Sequence, residues 1–181
     1  AYRLNVRADG ISIEADGPTG ALRALATLRQ LAGLSPAGIR IPAQQIRDAP
    51  RFAWRGMLLD PARNFLSIET LKRQIDAMER VKLNTLHLHL SDDQGFRVES
   101  RRYPRLNAGG PFYTQAQIRD LVAYAEARGV RIVPEIDVPG HAQAAVAAYP
   151  EHGVVDGPTQ PSANWGVNPS LFNPREETLQ F

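Results

Sequence analysis

The sequence predicts an α/β protein built on a parallel sheet. From Trp54 onward, short apolar segments alternate with amphipathic helical segments. A strand, helix, strand, helix, strand series of this kind gives parallel pairing. Each of the three strand segments also ends in a polar cluster: Asp60 with Arg63, Asp92 with Asp93, and Asp137 with His141. The C-terminal ends of parallel strands share one face, and ligands bind there.

The elements follow in order. Residues 2–15 alternate, with Tyr2, Leu4 and Val6 on one side and Ile11 and Ile13 beyond an Ala8-Asp9-Gly10 turn, which predicts a hairpin. Leu22, Leu25, Leu28 and Leu31 form a helical stripe over residues 20–32, stopped by Gly33. Residues 34–53 carry Pro36, Pro42 and Pro50 and read as a linker with a short strand near 40–42. Residues 55–60 form the first strand of the parallel series. Ser67 caps a helix with Ile68, Leu71, Ile75, Met78 and Val81 on one face. Residues 84–90 are the second strand. Thr114 and Gln117 make a capping box before Ile118, Leu121, Val122 and Ala125, and Gly129 ends that helix. Residues 130–133 are the third strand, and a last helix starts near Pro174.

Composition excludes several function classes. The chain has 181 residues, 21 basic against 19 acidic, and no cysteine. The basic residues are scattered, so there is no electrostatic footprint for nucleic acid. Thiol nucleophiles, disulfides and Cys-ligated zinc are ruled out. No apolar run approaches the ~18 residues of a membrane span. No Gly-x-Ser-x-Gly elbow, P-loop or dinucleotide fingerprint occurs.

The rim clusters carry the chemistry. Arg63 offers a fork of donors suited to sugar hydroxyls or a carboxylate. Asp92 and Asp93 are adjacent, so in extended backbone one faces the rim and the other braces the loop. Asp137 and His141 are joined by Val-Pro-Gly, a tight loop in which a carboxylate can orient an imidazole. His87 and His89, at i and i+2 on a strand, point to one face. With Asp137 they suggest a metal-dependent hydrolase; the alternative is a pair hydrogen-bonded to neighbouring carboxylates.

Three segments together resemble the family 20 glycoside hydrolases, the β-N-acetylhexosaminidases. They are residues 54–65 (WRGMLLDPARNF), 83–97 (LNTLHLHLSDDQGFR) and 133–141 (VPEIDVPGH), with 173–178 (NPREET) similar to the opening of the next helix. The resemblance implies a TIM (β/α)8 barrel preceded by a small α+β domain. On that basis residues 1–50 are the C-terminal part of the small domain plus linker, and 51–181 the first part of the barrel. It implies removal of terminal non-reducing GlcNAc or GalNAc by a retaining, substrate-assisted mechanism, with no metal or organic cofactor. By motif, Arg63 binds the 3- and 4-hydroxyls, Asp92 and His141 relay to the general acid, and Asp137 braces the acid that orients the acetamido group. His89 and Glu135 are supporting positions.

The departures are as informative. Asn64 stands where the family commonly has His, and Leu86 and Phe96 where Trp is common. No Asp-Glu dipeptide occurs anywhere in the chain, although the family's adjacent Asp-Glu pair performs the chemistry. A closed barrel takes about 250 residues, whereas residues 54–181 supply 128. The expectation is therefore a partial barrel from a bacterial, periplasmic or secreted enzyme of GlcNAc-terminated glycans. The chain alone is expected to be inactive and to self-associate through its open sheet edge. The alternatives are a noncatalytic sugar-binding module and the metal-dependent hydrolase.

Overall fold

The structure is a computed structural model and describes residues 1–154, 157–166 and 168–181. Strands β1 (Tyr2–Arg7) and β2 (Gly10–Ala15) form the expected hairpin, and α1 (Pro18–Leu31) lies on it. The expected linker is instead structured. It holds β3 (Gly33–Ser35) paired with β4 (Gly38–Arg40), then β5 (Gln44–Asp48). β5 pairs antiparallel with β1, giving a small sheet in the order β2-β1-β5. Its sequence, QQIRD, contains one apolar residue, so alternation could not announce it; backbone pairing with β1 makes it a strand.

Helix α1 also differs from its leucine stripe. Ala24, Thr27, Leu28 and Leu31 face the sheet, while Leu25 is exposed. Arg23 is buried because its Nη2 donates to the Gly129 carbonyl at 2.6 Å, fastening this layer to the rest of the chain. A local hydrophobic pattern cannot anticipate an anchor so distant in sequence.

The remaining residues form β6 (Gly56–Leu59), α2 (Ile68–Arg80), β7 (Thr85–His89), β8 (Ser91–Asp92), β9 (Gly95–Phe96), α3 (Gln115–Glu126), β10 (Arg131–Glu135), α4 (Gln143–Ala148) and α5 (Glu176–Leu179). β6, β7 and β10 make a parallel sheet with β7 in the centre. Neighbours in space are successive parallel strands, the arrangement that opens a (β/α)8 barrel. The described residues form a partial barrel without closure.

Register decides what each face carries. Met57, Leu86 and Ile132 lie side by side, as do Leu59, Leu88 and Pro134. Met57, Leu59, Leu86, Leu88 and Ile132 pack with Leu71, Ile75 and Met78 of α2 and Leu121 and Ala125 of α3. The opposite face carries Leu58, His87 and Val133 in one row, then His89 beside Glu135. Both barrel helices start on side-chain caps: Ser67 Oγ accepts the Thr70 N–H at 3.2 Å, and Thr114 forms a full capping box with Gln117.

Candidate active site

β7 ends at His89, and the chain turns at once into the short β8–β9 hairpin. This hairpin puts Asp92 beneath the rim, where it is 1% exposed. A buried carboxylate is costly unless it is fully bonded. Asp92 Oδ2 lies 2.6 Å from Arg63 Nη2 and 2.7 Å from His89 Nε2. Its Oδ1 accepts the Asp93 N–H at 2.6 Å and lies 3.1 Å from His141 Nδ1. Burial alone would raise this carboxyl; the Asp93 N–H, both imidazoles and Arg63 outweigh it and hold Asp92 below the ordinary carboxylate range.

Arg63 comes from the loop after β6. The Asp60 carboxylate fixes it twice, accepting the Arg63 N–H at 2.9 Å and Nη1 at 2.6 Å. One guanidinium therefore spans Asp60 and Asp92. Its Nε–H has no partner among the described residues and remains for a ligand.

His89 touches carboxylates through both ring nitrogens, Nε2 at Asp92 and Nδ1 3.0 Å from Glu135 Oε1. Burial disfavours its charge, but Asp92 and Glu135 outweigh burial, and its pKa is raised. The imidazolium, with two N–H donors, fits these contacts. Glu135 stands beside His89 in the strand register, and its Oε2 lies 2.5 Å from His87 Nε2. The two histidines thus meet neighbouring carboxylates, the alternative to a metal pair.

His141 lies half-buried in the loop after β10. Its Nδ1 lies 3.1 Å from Asp92 Oδ1 and 3.4 Å from Arg63 Nη2; beside an ionised Asp92 the proton belongs on Nδ1, and Nε2 has no partner among the described residues. Asp137 donates its backbone N–H to Ser91 Oγ at 2.8 Å. Its carboxylate lies by His89 and Glu135 and has no hydrogen bond among the described residues. Both residues line a cavity of about 230 Å³ walled by Phe96, Tyr103, Leu106 and Ala145.

Two triads bring metal-type ligand atoms within 4.8 Å of one another: His89, Glu135 and Asp137, and Asp92, Asp93 and His141. Their strongest donors are engaged. Both nitrogens of His89 face carboxylates. Asp93 accepts the Gln143 N–H at 2.9 Å and Asn168 Nδ2 at 2.8 Å. The adjacent aspartates therefore divide as the sequence reading allows, Asp92 toward the rim network and Asp93 into the loop.

Sequence reasoning missed Arg97. This buried residue of the loop after β9 donates to the carbonyls of Pro61, Ala62 and Pro111 at 2.8–3.1 Å. It ties the Arg63 loop to the hairpin that carries Asp92. Its only sequence trace is as the last residue of the 83–97 segment.

A rim of carboxylate, imidazole and guanidinium at the C-terminal ends of parallel strands is the site class of a TIM-barrel enzyme. Residues 52–181 match the catalytic domain of glycosyl hydrolase family 20, and residues 1–49 match that family's domain 2. The chain belongs to glycosyl hydrolase family 20. It is 45% identical to a β-N-acetylhexosaminidase of Cellulomonas fimi over 160 residues, 82% of this chain and 32% of that protein. The structure of Flavobacterium johnsoniae chitobiase superposes with TM-score 0.95 at 42% identity, covering 99% of this chain and 28% of that one. A Vibrio harveyi exo-β-N-acetylglucosaminidase solved with N-acetylglucosamine matches at TM-score 0.85 and 39% identity, over 96% and 31% of the two chains. The chain thus spans about a third or less of the length of these relatives.

Proposed function

We propose that this chain carries the sugar-gripping and relay half of a β-N-acetylhexosaminidase site, for glycans ending in non-reducing GlcNAc or GalNAc. The observation that carries the reading is the Asp92 node, bonded on its inner side and open on its outer side. Arg63, braced by Asp60 and Asp92, offers Nε–H to the hydroxyls of the terminal sugar. Asp92 fixes the His141 tautomer so that Nε2 faces outward to bond the general acid. Asp137 has a carboxylate available to brace the acid that orients the acetamido group. In the substrate-assisted scheme, the sugar's own acetamido oxygen attacks the anomeric carbon, and a protein acid protonates the leaving oxygen.

The same proposal divides the chain into a small-domain part, residues 1–50, and a barrel part, residues 51–181. It places the enzyme in the periplasm or outside the cell, where chitin and peptidoglycan fragments are met. The outer edges of β6 and β10 are unpaired among the described residues. Such edges favour self-association, read by sedimentation as mass above one chain.

No Asp-Glu pair is present in the sequence, so the chain alone leaves an aryl β-N-acetylglucosaminide at the blank rate. Replacing the matched segment of the Flavobacterium johnsoniae chitobiase with this chain tests the reading. A folded chimera should cleave the aryl β-N-acetylglucosaminide but not the β-glucoside, and should lose activity with Arg63→Ala. A folded chimera with no turnover, or one indifferent to Arg63→Ala, would overturn it.

A further inference from the structure

Arginines far apart in the sequence meet on one face of the small sheet. In β1, Tyr2, Leu4 and Val6 turn toward α1, so Arg3, Asn5 and Arg7 turn the other way. The register sets Glu14 and Ser12 of β2 beside Arg3 and Asn5 on one side. It sets Arg47 and Gln45 of β5 beside the same two residues on the other. Asn5 is half-buried and the rest are exposed.

Among the strand positions of this face Glu14 is the single acid, 3.7 Å from Arg3. Asp9 and Asp16 lie at its two ends, and Asp16 is paired with the N-terminal ammonium at 2.9 Å. Arg7 and Arg47 form no ion pair among the described residues. Arg3, Glu14 and Arg47 also line a cavity of about 440 Å³. Arg3 and Arg47 are direct neighbours on adjacent strands, while Arg7 lies about 13 Å further along β1. One small anion cannot reach both ends of this row; an extended chain with repeated anionic groups can.

The side chains between the arginines narrow the choice of chain. A guanidinium fork takes a carboxylate in two parallel bonds. Asn5, Ser12 and Gln45 add amide and hydroxyl groups that bond sugar hydroxyls. The face holds no aromatic residue on which a nucleic-acid base could stack. Nor does it hold an apolar side chain that could enter a lipid surface. We propose that this face docks a linear glycan bearing uronate carboxylates, laid along β1. The chain thereby gains a charge-selective hold on glycan, made of residues separate from the rim and independent of how the rim is read.

The full 181-residue chain can be titrated with a linear oligogalacturonate, which carries no hexosamine for the rim. A neutral chito-oligosaccharide of equal length, a single-stranded oligonucleotide and phosphatidylglycerol vesicles are titrated in parallel. The readouts are affinity and the arginine Nε–H signals in proton–nitrogen spectra, assigned with the variants below. The oligogalacturonate should move Arg3, Arg7 and Arg47 together, with an affinity that falls as salt rises. The neutral sugar should leave all three still. Arg3→Gln, Arg7→Gln and Arg47→Gln should each weaken binding about fivefold, and Glu14→Gln should strengthen it. Thermal unfolding of these surface variants should match the parent. If the oligogalacturonate leaves the three signals still, or binds all three variants as tightly as the parent, the docking face is overturned. If the neutral sugar moves the same signals, or the oligonucleotide or the vesicles bind more tightly, the uronate glycan is overturned as its occupant.

Discussion

Asp92 and Asp48 are both carboxylates at the centre of polar clusters, at opposite ends of the molecule. Asp48 joins the N-terminal layer to the barrel part. Its Oδ2 accepts Lys82 Nζ at 2.7 Å and the Tyr2 hydroxyl at 2.8 Å. Lys82 also donates to the Tyr2 oxygen at 2.9 Å, which in turn meets Thr27 Oγ1 at 2.5 Å. The Lys82 bonds run between the N-terminal layer and the barrel part. Around Asp92 the inner bonds are equally complete, yet Arg63 Nε and His141 Nε2 point away unpartnered among the described residues. The difference separates a fastening from a site. Both are built from the same ion-pair chemistry, but only the Asp92 carboxylate is fully buried under groups from three loops at the C-terminal ends of the strands, whereas the Asp48 side chain is 38% exposed.

The contrast can be broken experimentally. The largest effect is expected for Asp92→Ala, which strands Arg63, His89 and His141 around a buried gap. Removing one partner of a buried ion pair costs about 3–5 kcal/mol, and denaturant unfolding should show a loss of that order. A much smaller loss would mean that the node is more solvated than its geometry implies. Gly95→Ala comes next. A Cβ there would lie 2.2 Å from the Arg97 guanidinium carbon, and Arg97 is held by four carbonyls. Overpacking of this kind costs about 1–3 kcal/mol. Because it loosens the Arg63 loop, it should also weaken sugar binding.

Lys82→Met should cost about 1 kcal/mol or less, since the Asp48 side chain is 38% exposed. Sugar-induced shifts at Arg63 should be unchanged. If they move, the two clusters are coupled and the distinction fails.

The smallest effect is the shape of the stability–pH profile. His89 is raised above its ordinary 6.5. Its contribution is complete below 6.5 and fades as pH rises through the raised value. Asp92 and Asp48 are both lowered below 3.8. Their contributions are present above 3.8 and fade as pH falls through the lowered values. Thermal unfolding should therefore show an acid limb from both clusters and a limb beginning above 6.5 from His89 at the rim, whereas the raised Lys82 of the other cluster adds a loss only above 10.5. His89→Gln should remove the upper limb. Its persistence would assign that limb elsewhere.

Much of this was legible in the sequence because its causes are local. Alternation announced the β1–β2 hairpin. The spacing of Leu71, Ile75 and Met78 announced α2, and Ser67 and Thr114 marked the two barrel-helix starts. The polar clusters after β6, β7 and β10 placed the rim, because side chains just past parallel strands share one end. What stayed hidden depends on distant partners. β5 is a strand only because β1 lies beside it. The β8–β9 hairpin has two residues per strand, too few for any period. α4 has no side-chain cap from its N-cap residue Ala142, and Asp93 reaches its Gln143 N–H from fifty residues away.

By itself, then, the sequence determined the alternating α/β order, the family and the end of the sheet that carries the polar residues. Tertiary structure decided which groups surround the Asp92 that the motif names, and why one glutamate serves two histidines. It also decided that a buried arginine holds the rim together. The physical reason is that periodicity and capping are set within a few residues of chain. The environment of a buried charge is set by whichever distant groups the fold brings within about 3 Å of it.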